Sequence, residues 1–346
     1  MAKTQNITLN DIAKVLNVSK VTISKALRNH PDISIRMKDL IKKTAIEMGY
    51  SPNFVARNLS AKKTNTIGLV VPKIAHFFFG SVIEAIYDAA FENNYEIILT
   101  VTQENQEKEN KYIQSLLSMR VDGIIISITQ NTVDCSMFES IREKEVPIVF
   151  LDRVVECGDF SCVTVEDYAG SYKATEHAIK MGYTKLAHFA GPKEINISRE
   201  RYRGFVNALT DNNIRVNEEW IIHGGYSDVD GYNALMKLAE AGNLPEFIFT
   251  VTYPVALGVY AAAQKLGLKI SQDIDVICFG DSDVNRFISP SLSCVYQPTE
   301  KLGREAVKMI LEQINNYENY NPVKLELPTD LVIRETCSKK RITVPG

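Results

Sequence analysis

The sequence predicts an all-α helix-turn-helix unit followed by a larger α/β unit, whose two lobes each contain a doubly wound parallel sheet. Three observations support this expectation. The first 64 residues are basic and follow a helical pattern, whereas apolar strand-like runs alternate with helical stretches from Thr66 onwards. This alternation occurs in two successive series, which indicates two lobes. The 346 residues also exceed what one compact domain usually holds.

The composition is that of an ordinary globular protein, with 45% apolar and 23% charged residues, and it excludes wholesale disorder. There is no apolar run of about 18 residues, and residues 1–10 lack the apolar core of a secretion signal. We therefore expect a cytoplasmic protein. The six cysteines form no CxxC pair and the five histidines are scattered, so we expect no metal or other cofactor. The cysteines should be reduced and act as small apolar residues.

Charge is distributed unevenly along the chain. Residues 1–64 carry twelve Lys or Arg against four acids, a net charge of +8. Because the whole chain carries −3, the remainder carries −11. A basic head on an acidic body indicates that only the head contacts a polyanion. The alternative is a basic surface that is simply solvated.

Three short helices are predicted in the basic head. Thr8 followed by Asp11 forms a capping-box pattern, and Ser19 and Ser34 stand where they can cap a second and a third helix. The side chains expected to point inward are Ile12, Ala13, Val15, Leu16, Thr22, Ile23, Ala26, Leu27, Met37, Leu40, Ile41, Ala45 and Met48. Two short helices around a tight turn, with a supporting third, are typical of a helix-turn-helix.

The outer face of the second helix carries residue types that bind duplex DNA. A major groove admits one helix, whose N-terminal side chains meet base edges. Lys20 and Lys25 can donate to guanine acceptors or phosphates, and Val21 can contact a thymine methyl group. Further polar candidates on or near this face, suited to phosphate contacts, are Thr8, Thr22, Ser24 and Arg28. The alternative interpretation is a three-helix domain that binds protein.

A short conditional helix is predicted after Pro52. Residues 53–61 could form two helical turns, but an isolated helix of that length is marginal in water. It should therefore fold only when it packs against a partner. We expect a headpiece at residues 1–52, a hinge at 53–64 and an effector-binding and dimerisation domain at 65–346.

Four segments of the head and hinge, at residues 7–13, 18–24, 49–53 and 56–59, read ITLNDIA, VSKVTIS, GYSPN and ARNL. They resemble the headpiece of the lactose-repressor (LacI/GalR) family of bacterial transcriptional regulators. The resemblance implies that Lys20, Val21 and Lys25 contact bases. It also implies that the hinge, starting at Asn53, pairs with its copy in a second subunit over the minor groove. There Leu59 would enter between central base pairs, and the small Ala56 would let the two hinge helices approach.

In the body, the strand-like runs are followed by polar residues at positions where ligands bind. The first series has runs at residues 67–71, 95–99, 123–126 and 147–151, and the second has runs at 162–165, 186–189, 220–222, 247–249 and 276–279. Doubly wound sheets bind ligands beyond the carboxyl ends of their strands. The strand-end candidates are Ser127, Asp152, Arg153, Tyr253 and Asp281.

The body resembles the periplasmic-binding-protein-like (type I) domain of the same family, through RYRGF at 201–205, FGD at 279–281 and HFFF at 76–79. The resemblance adds Phe78, Phe79 and Arg201 to the effector site. An arginine facing an aspartate can satisfy vicinal hydroxyls and an aromatic face can stack on a sugar ring, which favours a sugar-like effector. Tyr253 stands where the family usually has an acid, so the effector's identity does not carry over.

Taken together, these patterns predict a transcriptional regulator of the repressor type that binds a palindromic DNA operator as a homodimer under control of a small effector. A sugar-binding receptor with the same body is the alternative, but the basic head disfavours it. An enzyme is a third possibility; no GxGxxG, GxSxG or P-loop motif supports it.

Overall fold

The structure, a computed structural model, describes residues 7–50, 63–75 and 77–338. Its contacts divide the chain into two compact units, Met1–Thr64 and Asn65–Gly346. We call them the headpiece and the body. Most of the hinge predicted at residues 53–64 lies outside the described residues, since 51–62 are not described. None of the described helices is both long and apolar enough to cross a membrane.

The headpiece contains three described helices, α1 (Leu9–Leu16), α2 (Lys20–Leu27) and α3 (Ile35–Glu47). All three predicted helix starts are confirmed. The Asp11 carboxylate accepts hydrogen bonds from the backbone N–H and the hydroxyl of Thr8. The Ser19 hydroxyl accepts from the Thr22 N–H, and the Ser34 hydroxyl accepts from the Met37 N–H. These bonds satisfy N–H groups that a helix leaves free in its first turn.

The headpiece core is small and consists mainly of six buried residues, Ile12, Ala13, Ile23, Ala26, Ile41 and Ala45. Two predicted core positions were wrong, since Val15 is 61% exposed and Leu40 is 47% exposed. The three helices have only eight, eight and thirteen residues, so each one contributes about one or two side chains per turn to the core. The apolar residues at the margins of the stripe therefore stay at the surface.

The first lobe of the body is built on a six-stranded parallel sheet with strand order β11-β5-β4-β3-β1-β2. Its strands are β1 (Thr66–Val71), β2 (Glu96–Val101), β3 (Gly123–Ile126), β4 (Ile148–Leu151), β5 (Ser161–Val165) and β11 (Lys324–Leu327). Its helices are α4 (Phe77–Glu92), α5 (Gln106–Ser118), α6 (Ser136–Glu143) and α11 (Thr299–Asn315). All six residues of β1 are buried, as a strand covered on both faces requires.

The second lobe repeats this plan, with strand order β12-β10-β9-β8-β6-β7 and only the β10–β12 pair antiparallel. Its strands are β6 (Leu186–Ala190), β7 (Ile221–His223), β8 (Phe247–Thr250), β9 (Asp275–Phe279), β10 (Ser293–Tyr296) and β12 (Asp330–Val332). Its α-helices are α7 (Asp167–Lys180), α8 (Asn196–Asp211), α9 (Asp228–Glu240) and α10 (Tyr253–Leu266). Short 3₁₀ turns occupy Glu218–Trp220 and Asp283–Arg286 here, and Tyr317–Asn319 after α11.

The chain passes between the two sheets three times: after β5, between β10 and α11, and between β11 and β12. The predicted fold class is confirmed, since both sheets are mainly parallel and alternate with helices. β10, β11 and β12 were not predicted from the sequence. β11 completes the first sheet by pairing with residues far away in the chain, such as Lys324 with Cys162.

The prediction for the cysteines was wrong at two positions. Cys135 and Cys157 form a disulfide bond, with their Cα atoms 6.1 Å apart. The bond connects the residue before α6 to the loop that follows β4. Cys162, Cys278, Cys294 and Cys337 are buried free thiols, as expected of small apolar residues.

Candidate functional site

The N-terminal part of α2 is exposed on the headpiece surface. Val21 is 63% exposed and Lys20 is also exposed. The Thr22 hydroxyl is hydrogen-bonded to the Ser19 hydroxyl at 2.8 Å, and the Thr8 hydroxyl donates to Asp11. Thr8 and Thr22 therefore serve the helix starts in the free chain. Lys20 and Val21 are the two side chains of this face that are best placed to contact a partner.

The C-terminal part of the same face is held by internal bonds. The Lys25 Nζ donates to an Asp32 carboxylate oxygen at 2.7 Å, and the Arg28 guanidinium donates to the carbonyl and hydroxyl oxygens of Ser24. The hydrogen bond from Lys25, together with the nearby His30, holds the pKa of Asp32 below its ordinary value. Lys25 must exchange this carboxylate for any phosphate or base that it binds.

Three further DNA-contact candidates, Asn53, Ala56 and Leu59, lie outside the described residues. Their roles remain predictions from the family resemblance.

Seven of the eight effector candidates in the body line one cavity between the lobes. They are Phe78, Phe79, Asp152, Arg153, Arg201, Tyr253 and Asp281. Ser127, at the end of β3, is buried and does not belong to this lining. The cavity has a free volume of only about 30 Å³. That volume suits about one water molecule, so a larger ligand requires the lobes or the side chains to move.

Seven lining residues were not foreseen: Phe77, Ile197, Thr252, Pro254, Phe279, Gly280 and Gln297. The strand-end rule that identified Asp152 and Asp281 would also have selected Gln297, which directly follows β10. It was missed because β10 was missed. Phe77 contacts Tyr253 edge to face across the cavity, with ring centroids 6.0 Å apart.

Arg201 is held by the second lobe from several directions. Its Nε and Nη2 atoms lie 2.7 Å from Asp167 Oδ1, and its Nη1 donates to the Val251 carbonyl oxygen. The guanidinium also lies 3.6 Å from the centroid of the Phe279 ring. Burial raises the pKa of Asp167, and the Arg201 charge opposes that rise. The pair is almost completely buried, so Arg201 has a structural role as well as a place in the cavity wall.

The loop after β4 carries two charged residues into the cavity wall. Arg153 Nη1 donates to both carboxylate oxygens of Glu104 at 3.0 Å, and its guanidinium lies 4.2 Å from the centroid of the Tyr226 ring. Its Nε is buried without a hydrogen-bond partner among the described residues. Asp152 has a backbone φ of +62°, a conformation that aspartate tolerates. Burial raises the pKa of Asp152, although Arg201 and Arg153 oppose the rise.

The same loop binds the second lobe through Asn196 at the start of α8. The Asn196 side-chain amide donates to the Asp152 carbonyl oxygen and accepts from the Val154 N–H, both at 3.0 Å. With the Arg153–Tyr226 contact, these bonds connect the lobes beside the cavity. Any movement of the lobes must change this set of contacts.

Asp281 is hydrogen-bonded to three partners within the second lobe. One of its oxygens accepts hydrogen bonds from the Ser282 N–H and the Asn285 amide, both at 2.8 Å, and the other accepts from Arg334. Burial opposes ionisation, but the bonds from Arg334 and Asn285 hold the pKa of Asp281 below its ordinary value. Arg201 and Asp281 therefore line the same cavity, but each forms an ion pair with a different residue of the second lobe.

Tyr253 and Gln297 are buried neutral residues in the cavity wall. The Gln297 amide nitrogen makes no hydrogen bond within the described part of the chain, and the Tyr253 hydroxyl has the Ser282 hydroxyl beside it. Burial raises the pKa of Tyr253 to about 12, an effect that the nearby Ser282 hydroxyl reduces. Among the described residues, no group of three His, Cys, Asp or Glu side chains is arranged to hold a metal ion.

Comparison with known proteins matches both units of the chain. Residues 8–53 match the model of bacterial regulatory proteins of the lacI family, and residues 64–335 match periplasmic binding proteins and the sugar binding domain of the LacI family. The NTD biosynthesis operon regulator NtdR of Bacillus subtilis (strain 168) is 32% identical over 95% of this chain and 99% of its own length. The HTH-type transcriptional repressor PurR of Vibrio vulnificus (strain CMCP6) is 31% identical over 96% of this chain and 99% of its own length.

The structural comparison agrees on the fold. A crystal structure of the lac repressor dimer bound to operator and the anti-inducer ONPF aligns with a TM-score of 0.85 at 24% sequence identity. The alignment covers 96% of this chain and 99% of that one. Because both family models match in order and the full-length relatives are regulators, the chain belongs to the LacI family of bacterial regulatory proteins.

Proposed function

We propose that the chain is a homodimeric transcriptional repressor that binds a palindromic operator through α2 and is controlled by a small, sugar-like effector in the body cavity. The observation that carries the proposal is α2 itself. It is a Ser19-capped helix whose first turn exposes Lys20 and Val21 on a headpiece of net charge +8. The major groove of DNA is wide enough for such a helix, and the side chains of the helix's first turn then contact base edges. The operator places the protein in the cytoplasm, and we expect no catalytic turnover.

Within this proposal, Lys20, Val21 and Lys25 contact base edges, whereas Thr8, Thr22, Ser24 and Arg28 position the helix on phosphates. The exposure of Lys20 and Val21 supports the first assignment. Asn53, Ala56 and Leu59 would form the paired hinge over the minor groove, where Leu59 kinks the duplex. The relatives named as repressors, and the lac repressor dimer on its operator, support dimeric DNA binding by the headpiece.

The effector would act by changing the contacts between the lobes. The cavity's free volume of about 30 Å³ is too small for a sugar, so an entering effector displaces side chains or separates the lobes. Separating the lobes would break the bonds of Asn196 to the loop after β4. The proposed cavity residues are Phe78, Phe79, Asp152, Arg153, Arg201, Tyr253 and Asp281, with Ser127 behind them. Coupling between two such sites is typically about 1–3 kcal/mol, which changes operator affinity by about 5- to 150-fold.

The proposal is tested by selecting bound duplexes from a random DNA pool and then titrating the best duplex and a scrambled one at several salt concentrations. Lys20→Ala and Lys25→Ala should each weaken the selected duplex by about 5- to 150-fold while affecting the scrambled duplex less. Lys43→Ala is the matched control, because this lysine lies on α3, is 76% exposed and is not among the predicted DNA contacts. Equal losses on both duplexes would show that Lys20 and Lys25 do not recognise bases.

A sugar-binding receptor without DNA function is the second candidate, favoured only by the body's match to periplasmic binding proteins. The same selection separates the two candidates. A receptor would enrich no palindrome and would still bind carbohydrate. A repressor would enrich a palindrome whose affinity changes when carbohydrate mixtures are added.

A further inference from the structure

Two cysteines of the first lobe are joined where a small molecule can reach them. Cys135 directly precedes α6, and Cys157 lies in the loop between β4 and β5, with their Cα atoms 6.1 Å apart. That separation is ordinary for a disulfide bond, so the two thiols can join without movement of the backbone. Both residues are only half buried, which leaves the bond accessible to a small thiol or disulfide.

The other four cysteines of the chain are protected from such chemistry. Cys162 is 9% exposed, and Cys278, Cys294 and Cys337 are completely buried. Burial raises the pKa of each of these four thiols above its ordinary value. Because the thiolate is the reactive form of cysteine, these residues are inert toward exchange. Redox chemistry is therefore confined to one pair.

The disulfide bond fastens the loop that connects the lobes beside the cavity. Before Cys157, this loop receives the two bonds from Asn196 of α8, and the Glu156 carboxylate forms an ion pair with Arg199 of the same helix. The backbone of residues 155–159 makes no hydrogen bond within the described part of the chain. The α8 contacts thus attach the loop to the second lobe, and the disulfide bond attaches its middle to the first.

Opening the bond would loosen this loop. The ion pair of Glu156 would remain, but its side chain is 60% exposed, and such exposed pairs contribute little. The next firm attachment to the first lobe is Phe160, which is buried against Phe150 with ring centroids 5.3 Å apart. Residues 155–159 would regain conformational freedom, and the same loop carries Asp152 and Arg153 into the cavity wall.

The compartment of operator DNA makes a permanent bond at this place unexpected. Cytoplasmic thiols are kept reduced, and a cytoplasmic disulfide bond is usually transient and catalytic or redox-sensing. We propose that Cys135 and Cys157 form a reversible modification site, which low-molecular-weight disulfides oxidise and low-molecular-weight thiols reduce, and which fastens or releases the loop between the lobes. The inference rests on the proposed function only for the compartment, and it adds a second input to the body.

The exchange balances with a small disulfide as the oxidant. The thiolate of one cysteine attacks a sulfur of that disulfide, forms a mixed disulfide and expels one small thiolate. The thiolate of the other cysteine then attacks the sulfur of the first, forms the Cys135–Cys157 bond and expels the second small thiolate. The two protons that the cysteines lose are taken up by the two small thiolates. The cysteine pair is oxidised and the small disulfide is reduced to two thiols.

Peptide mapping of the full chain after equilibration in two glutathione buffers tests the chemistry. In a buffer dominated by millimolar reduced glutathione, Cys135 and Cys157 should be free thiols that are alkylated once the chain is unfolded. In a buffer dominated by oxidised glutathione they should be linked to each other, and return to the first buffer should free them again. The four buried cysteines should be free thiols in both buffers.

Amide hydrogen exchange of the same samples tests the effect on the loop. Exchange in residues 155–159 should be about tenfold or more faster with the bond open, whereas the buried strand β1 should not change. The double variant Cys135→Ser with Cys157→Ser should exchange like the reduced chain in both buffers. Cys162→Ala is the matched control, because it keeps the pair and should respond to the buffers as the unaltered chain does.

Three results would overturn the proposal: a pair that stays linked in the reducing buffer, a pair that stays unlinked in the oxidising buffer, or loop exchange that is the same in both. The comparison of the reduced and oxidised unaltered chain decides the matter even where a variant fails to fold. Because these measurements use no DNA, a failed operator selection counts only against the regulator. A chain that binds an operator but keeps its bond in the reducing buffer refutes only the redox site.

Discussion

Removing Arg201 should destabilise the body far more than removing a neighbouring arginine of the same helix. Arg201→Ala deletes both bonds to Asp167, the bond to the Val251 carbonyl oxygen and the contact with the Phe279 ring. It also leaves the Asp167 carboxylate buried without its counter-ion. Breaking a buried pair in this way typically costs about 3–5 kcal/mol. That loss is a large fraction of the about 5–15 kcal/mol that stabilises a typical domain.

Urea unfolding of the full chain measures this loss, and the protein supplies its own probe. Trp220 is the single tryptophan of the chain and lies in the second lobe, where its indole N–H donates to the Asn243 carbonyl oxygen. Arg203→Ala is the control, because Arg203 lies on the same helix, is 57% exposed and, among the described acids, forms an ion pair with Glu200 only. We expect a loss of about 1 kcal/mol or less for this control.

The cost of leaving the Asp167 charge unpaired can be separated from the cost of the lost packing. Replacing both partners, as in Arg201→Met with Asp167→Asn, leaves no unpaired charge and should be less destabilising than Arg201→Ala alone. A neutral carboxyl is easier to bury, so Arg201→Ala should recover part of its stability in mild acid. Arg201→Ala and Arg203→Ala variants of equal stability would refute the reasoning. An effector-binding defect in Arg201→Ala has to be judged against this stability loss.

Three further predictions concern the headpiece, the second lobe and the disulfide bond. Asp32→Asn frees Lys25 and removes a negative charge, so operator affinity in a salt titration should rise by up to about fivefold at low salt and less at high salt; no change would show that the pair does not compete with DNA. Burial lowers the pKa of His188 from 6.5 to about 3, so the folded state binds fewer protons. The stability from this group is full above about pH 6.5 and is lost as the pH falls toward 3, and His188→Phe should flatten that part of a plot of urea midpoint against pH. Peptide mapping without reductant should recover Cys135 linked to Cys157, and free thiols at both would contradict the bond.

Local signals in the sequence were sufficient for most of the elements. Thr8, Ser19 and Ser34 were recognised as caps because a cap depends on residues only three positions away. The strands were recognised as continuous apolar runs because both faces are covered. By contrast, β11 has the sequence KLEL, which is not a continuous apolar run and is only partly buried. It is a strand because it pairs with β5, about 160 residues earlier in the chain.

The sequence predicted which residues line the cavity, but not which partners those residues bind. The strand-end rule and the family resemblance placed Asp152 and Arg201 in the cavity wall, where the structure has them. Neither source of information could assign Asp167 to Arg201 or Arg334 to Asp281, because such partners are chosen by tertiary packing. Gln297 was missed because the strand that it follows, β10, was not recognised.

The return of residues 299–332 to both sheets has a consequence for synthesis on the ribosome. β11 is the edge strand of the first sheet, α11 packs on that sheet, and β12 is the edge strand of the second sheet. A nascent chain that ends at Tyr296 therefore lacks an edge strand in both sheets. Neither lobe is thus a continuous stretch that can be cut out and expressed alone. Until translation is nearly over, the free border of β5 stays open to wrong partners, and this is the interval in which a nascent copy is most prone to aggregate.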